Sequence, residues 1–157
     1  MSDAPIRMRK ILSADIPPPV WPVGTRRLSF ALAEPRALHA ILFEAYQNGF
    51  GSVPDFEDWW SALNDDAEFD PALVIIAADM DGAPIGMVQS WTSAFIKDIA
   101  VLPAWRGRGI GEALLLSTFH AFHERGATHV DLKVMEGNAT AIHLYRHLGM
   151  VEVPAEA

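Results

Sequence analysis

The sequence predicts a mixed α/β domain with a central mixed sheet flanked by helices. Three observations predict it. Apolar patterning gives the element order β, α, α, β, β, β, α, β, α, β. The dipeptide Asp81-Gly82 marks a hairpin between two of the strands. The strand over 96–101 runs through a proline turn into a glycine-rich loop that opens a helix, as a crossover unit requires.

Residues 1–25 read as an irregular, extended arm. Pro17, Pro18, Pro19 and Pro22 surround Trp21 and favour a polyproline-like path. Such an arm either packs on the domain, burying Val20 and Trp21, or serves as a ligand for a proline-binding partner. A single domain is expected over 26–157. In it, 27–32 reads as a strand on the alternation of Leu28, Phe30 and Leu32. Residues 37–48 read as a helix with Leu38, Ile41, Leu42 and Ala45 on one face, ended by Gly49 and Gly51. A short helix follows Pro54 over 55–63. Strands are expected over 72–80, 85–91 and 96–101.

The next helix shows the apolar row Ile110, Leu114, Ala121 and Phe122 and closes at Gly126. In 129–134, Val130, Leu132 and Val134 alternate inward against Asp131 and Lys133 outward. Asn138 can cap the last helix, which ends at Gly149, and 151–153 starts a final strand.

Composition bounds the function. The 157 residues carry no cysteine, so disulfides and thiolate chemistry are excluded. A net charge of −8 speaks against nucleic-acid binding. The longest apolar stretches are too short to span a bilayer, and the first residues lack a secretory apolar core. A cytoplasmic protein is the resulting expectation. The charge is divided along the chain. No Lys or Arg lies between Arg36 and Lys97, a stretch that includes Asp55, Glu57, Asp58, Asp65 and Asp66.

The most informative segment is Asp98-Ile-Ala-Val-Leu-Pro-Ala-Trp-Arg-Gly-Arg-Gly-Ile-Gly111. A glycine-rich loop at a helix start offers backbone N–H groups and a positive dipole end to a phosphate. Glycine allows close approach and positive φ. Arg106 and Arg108 add charge at the same place. A Walker loop would end Gly-Lys-Ser/Thr, but this one ends Ile-Gly-Glu. A dinucleotide loop would place its third glycine where Glu112 stands, and the chain beyond Asp131 is too short for a doubly wound sheet.

The third possibility is a coenzyme A pyrophosphate loop. Here the sequence resembles the GCN5-related N-acetyltransferase family. Arg106, Gly109 and Gly111 match its Arg-x-x-Gly-x-Gly pattern, directly after the strand Ile99-Ala-Val101. A second block, Asn138 to Met150, matches in its asparagine, its Leu144-Tyr145 pair and Gly149. The close match covers 98–151, and the first seventy or so residues match loosely.

The resemblance implies the family's fold and acetyl-CoA as co-substrate; the i, i+4 pair His143/His147 could ligate a metal, but two ligands alone are weak evidence and no metal is expected. The resemblance implies pyrophosphate held by Arg106, Gly107, Arg108, Gly109, Ile110 and Gly111. It implies that Ile99, Ala100 and Val101 splay from the neighbouring strand and pair with the pantetheine arm as an added strand would. Asn138 matches a pantetheine contact as well as a helix cap. Tyr145 matches the phenol that faces the coenzyme sulfur and protonates the leaving thiolate; a tyrosine pKa of about 10 keeps that proton available. Without the resemblance, Tyr145 reads as a packing residue on the buried face of its helix.

The implied reaction is direct acetyl transfer to an amine, whose proton passes to a carboxylate or water. Asp98 is one candidate base; Asp55, Glu57 and Asp58 are others. The pairs His120/His123 and His143/His147 read as solvated faces. The acceptor region of the family falls on 46–68, which is acidic and aromatic through Phe50, Phe56, Trp59 and Trp60. It suits a small cationic amine or a peptide amino group, and Trp59 and Trp60 serve equally as core. A non-catalytic coenzyme-binding module is the alternative function, and an interaction protein using the proline-rich arm is a third. One departure stands out. The family's final strand pair does not fit before residue 157, so either the arm, around 6–12, or a partner subunit in a homodimer fills the sheet edge.

Overall fold

A computed structural model describes residues 4–156. Seven strands form one sheet: β1 (Pro5–Ile11), β2 (Thr25–Leu28), β3 (Val74–Asp79), β4 (Pro84–Trp91), β5 (Phe95–Val101), β6 (His129–Met135) and β7 (Val151–Val153). Their order is β2-β3-β4-β5-β6-β1-β7. Every neighbouring pair is antiparallel except β5 and β6. The helices are α1 (Pro35–Ala45), α2 (Phe56–Asp65), α3 (Ile110–Glu124) and α4 (Ala139–His147).

The sheet separates two apolar layers. On one face Leu38, Ile41 and Leu42 of α1 and Trp59 and Leu63 of α2 meet Val74, Ile76 and Ala78 of β3. On the other, α3 buries Leu114, Leu115, Phe119 and Phe122 with Ile75 and Val88. Gly86 allows this close packing: a Cβ there would stand 3.3 Å from Ile110 Cγ2 and 3.3 Å from the Ala100 carbonyl. Helix α3 is apolar nearly all round because the arm covers its outer side. Leu12 and Ile16 are buried, Trp21 packs beside them, and the His120 ring nitrogen meets the Pro17 carbonyl at 2.9 Å. The packed-arm alternative therefore holds, although Val20 stays exposed.

Several boundaries differ from the sequence reading. The strand expected over 27–32 is Thr25–Leu28, and Phe30–Leu32 is a 3-10 turn. Pro35 starts α1 early, with the Glu34 carboxylate accepting the Arg36 amide. The α1 pattern breaks at Ala45 into the 3-10 turn Tyr46–Asn48, which Gly49 ends at φ +87°.

The largest correction is that 5–11, read as irregular, is a strand in the sheet interior; residues 1–3 lie outside the described residues. β1 pairs with β6 from Pro5↔Met135 to Ile11↔His129, and with β7 from Arg7↔Val153 to Arg9↔Val151. The arm of this same chain thus fills the place beside β6. The sequence hid this strand because one of its faces is charged. Met8 is fully buried toward α3, whereas Arg7 and Arg9 face the opposite way.

Those arginines correct a second expectation. Asp131 does point away from α3, but it is 1% exposed, not solvated. Arg7 Nε donates to its Oδ2 at 2.7 Å, and Arg9 Nε and Nη2 donate to Oδ1 and Oδ2 at 2.8 and 2.9 Å. Burial opposes ionisation of Asp131, but the bonds from Arg9 and Arg7 outweigh it and hold its pKa below the ordinary 3.8. A depressed carboxylate pKa contributes stability that is complete above the unfolded value and disappears as pH falls through the folded one. Urea melts should therefore show an acid destabilisation below about pH 4 that shrinks in Asp131→Asn. An identical acid limb in the two proteins would remove this pair from the stability balance.

Candidate active site

The site begins where two strands part. β5 pairs with β6 only through Phe95↔Asp131 and Ile96↔Leu132. One residue further, the β4–β5 register shifts: Gln89 stands opposite Asp98 and Ser90 opposite Ile96, so Lys97 is bulged out. A bulge reverses the side-chain alternation that follows it. Ile96 joins the core under α3, while Ala100 joins the layer under α1. Asp98 shares the Ala100 parity and meets Tyr46 at the end of α1. The splayed strand expected over Ile99, Ala100 and Val101 is thus present, and the bulge explains it.

A cleft of about 510 Å³ follows the split toward α3. Ile99, Ala100 and Val101 line it from β5. Arg106, Gly107, Gly109, Ile110 and Gly111 line it from the loop, and Asn138, Leu144 and Tyr145 from α4 and its cap. Of the expected coenzyme residues, only Arg108 is absent from the lining. Its guanidinium lies 4.7 Å from the Trp105 ring centroid and donates to the Ala104 carbonyl at 3.4 Å, so it braces the loop.

The loop is built for an anion. Gly107 and Gly109 take φ of +75° and +93°, a region unfavourable to residues with a Cβ. Gly109 is the N-cap of α3 and supplies no side chain, so the helix start is open. The first amide in α3 with a carbonyl partner is that of Ala113, at 3.1 Å from the Gly109 oxygen. Among the described residues, the amides of Ile110, Gly111 and Glu112 find no acceptor in the protein. Arg106 Nε donates to the Val101 carbonyl at 3.2 Å and ties the loop back to β5. At Gly111 a Cβ would stand 3.3 Å from Leu144 Cδ2, so glycine lets α4 close against the helix start.

A smaller chamber of about 170 Å³ opens beyond the split, framed by Pro5, Lys97, Lys133 and Met135. Tyr46, Phe50, Ile99, Asn138 and Tyr145 line both chambers. Asn138 is a cap, accepting the Ala141 amide at 3.3 Å, and it also lines the cleft. Tyr145 is 6% exposed. Burial pushes its pKa up to about 12. The phenol therefore keeps its proton at neutral pH and can donate it.

Tyr46 carries the feature that sequence reasoning missed. Its hydroxyl donates to Asp98 Oδ1 in a short hydrogen bond. Burial, then the Asp98 charge and hydrogen bond, then the neighbouring Tyr145, raise its pKa far above that of a free phenol. Asp98 itself is 8% exposed and lines neither chamber, so it reaches the site only through Tyr46. No spacing rule links residues 46 and 98; the available signal was a phenol at the end of the apolar face of α1.

The acidic, aromatic acceptor pocket is corrected. Asp55 caps α2 by accepting the Asp58 amide at 3.1 Å, and Glu57 pairs with Arg36 at 3.1 Å on the surface. Phe56, Trp59 and Trp60 stack with one another and with Phe30, and none lines a chamber. Among the described residues of that region, Tyr46 and Phe50 reach the site, and lysines rather than acids frame the outer chamber.

Comparison with known proteins agrees with this geometry. The acetyltransferase (GNAT) family profile matches residues 36–150. Streptothricin acetyltransferase of Streptomyces lavendulae is 39% identical over 133 residues, covering 83% of this chain and 67% of that protein. Mycothiol acetyltransferase of Thermobifida fusca is 34% identical over 107 residues, 68% of this chain and 27% of its own length. The crystal structure of a GCN5-related N-acetyltransferase from Sphaerobacter thermophilus superposes with a TM-score of 0.81 at 32% identity. It spans 95% of this chain, which in turn spans 48% of it. The split strand pair, the open α3 start and these sequence matches have one common explanation: the chain belongs to the GCN5-related N-acetyltransferase (GNAT) family of enzymes.

Proposed function

We propose that this protein transfers an acetyl group directly from acetyl-CoA to the primary amine of a small molecule or peptide. The observation that carries the reading is the position of Tyr145. Its buried phenol stands where a phosphate-competent cleft and a second chamber meet. Acetyl-CoA supplies the activated thioester.

The residues present fit that co-substrate. The open amides of Ile110, Gly111 and Glu112, with the nest around Gly107 and Gly109, would hold the pyrophosphate. The β5 edge at Ile99, Ala100 and Val101, unpaired beyond Ile96, would hold the pantetheine amides, with Asn138 beside it. Tyr145 donates its proton to the departing sulfur, and burial keeps that phenol protonated near neutral pH. The amine approaches through the chamber framed by Lys97 and Lys133, where Tyr46 lines the wall with the Asp98 carboxylate behind it. Relatives named for streptothricin and mycothiol support a small natural-product amine as acceptor.

Calorimetry with CoA and acetyl-CoA, followed by thiol release on a panel of amines, amino acids, aminoglycosides and peptides, tests the reading. Binding of both nucleotides and thiol release that requires an amine are expected. Binding without release on any amine would favour a coenzyme-binding module. No heat with either nucleotide would overturn the assignment.

A further inference from the structure

We propose that Tyr46 is a catalytic residue: its hydroxyl passes a proton from the incoming ammonium to Asp98, so that the amine reaches the thioester uncharged. This rests on the transferase reading above and adds a residue and a route to it.

Three independent features point to the relay. Tyr46 walls both chambers, whereas Asp98 walls neither, so a substrate nitrogen can meet the phenol but not the carboxylate. The Tyr46 hydroxyl already donates to Asp98 Oδ1, which fixes the direction of proton flow. The bulge at Lys97 turns Asp98 onto the face of α1; with regular alternation it would share the Ile96 side and lie under α3. A buried carboxylate is costly to keep in a strand interior, and a local break in register that brings Asp98 to the Tyr46 phenol has a use in chemistry.

The proton balance is simple. The N–H proton of the ammonium moves to Tyr46 Oη as the Oη–H proton moves to Asp98 Oδ1. The nitrogen gains a free lone pair, Tyr46 ends as a phenol and Asp98 as a neutral acid. After turnover the proton passes from Asp98 back to Tyr46 as the Tyr46 hydroxyl proton passes to a water that replaces the product. A concerted exchange is required because the Asp98 charge and burial make a free Tyr46 phenolate inaccessible near neutrality. The other charged or titratable groups about the pair are Lys97, 3.8 Å from Asp98 Oδ1, Tyr145 of α4 and Lys133 across the outer chamber. In this route Tyr46 touches the substrate and Asp98 is the positioning residue behind it.

The test compares Tyr46→Phe and Asp98→Asn with the unaltered protein, using acetyl-CoA and a primary amine of known pKa. In each variant kcat/KM near pH 7 should fall by about 100-fold. Its acid limb should move up to the pKa of the amine, because only amine that is already neutral can react. CoA affinity by calorimetry should be unchanged, and the double variant should be no slower than either single one. A pH profile of wild-type shape in Tyr46→Phe, or a loss of rate equal at every pH, would overturn the relay while leaving the transferase reading intact. Failure of the unaltered protein to release thiol with any amine would instead bring down the transferase reading, and the relay with it. Asp98→Asn keeps the test decisive should the Tyr46 variant fold poorly.

Discussion

Tyr145→Phe is expected to lower kcat by about 100-fold or more while leaving CoA affinity untouched. The substitution removes one oxygen from a ring that stays packed in the α3–α4 core. The ring and its packing are kept, so the fold should keep its stability. What disappears is the proton for the departing sulfur. The pKa of about 12 makes a further point. The unaltered enzyme should show no alkaline fall attributable to Tyr145 until pH approaches that value, since the donor form persists throughout. Steady-state kinetics with parallel calorimetry decides the matter. A Phe variant with full kcat would pass the acid role to another group or to water.

Gly109→Val should give the largest loss of coenzyme binding. Gly109 holds φ +93°, where a β-branched side chain is strained by about 1–3 kcal/mol. Space is not the obstacle, since a Cβ would meet nothing nearer than Pro22 Cγ at 3.8 Å. Relaxation toward negative φ would turn the loop amides and the α3 start away from a shared focus. Each hydrogen bond lost to a charged phosphate costs about 1.5–3 kcal/mol, or roughly 10- to 100-fold in affinity. The dissociation constant for CoA should rise by about 100-fold, with a modest drop in melting temperature. An unchanged dissociation constant would move the anion site away from this loop.

The site was legible in the sequence wherever its parts are local. The loop over 106–111 and the capped helix beginning at Asn138 each carry their geometry in neighbouring residues, and both were found where expected. The hairpin of β3 and β4 and the inward row of β6 were readable for the same reason. What escaped reading depends on distant parts of the chain. Asp98 could be named a candidate, yet its orientation depends on a one-residue bulge that no composition rule announces, and its partner lies 52 positions away. Trp59 and Trp60 have the chemistry of an amine pocket and the packing of a core; burial by α1 decided between them. β1 was offered only as one of two fillers of the sheet edge because Arg7 and Arg9 break the apolar alternation, and only Asp131, more than 120 positions later, explains why they are there.

That last pairing has a consequence for how the molecule is made. β1 precedes β6 and β7 in the chain and finds its place only after they exist, so this half of the sheet closes late, and loop closure over such a span is slow. A nascent segment that must wait unpaired is exposed to wrong neighbours. Arg7, Arg9 and Lys10 make it a poor template for aggregation until Asp131 arrives to neutralise it.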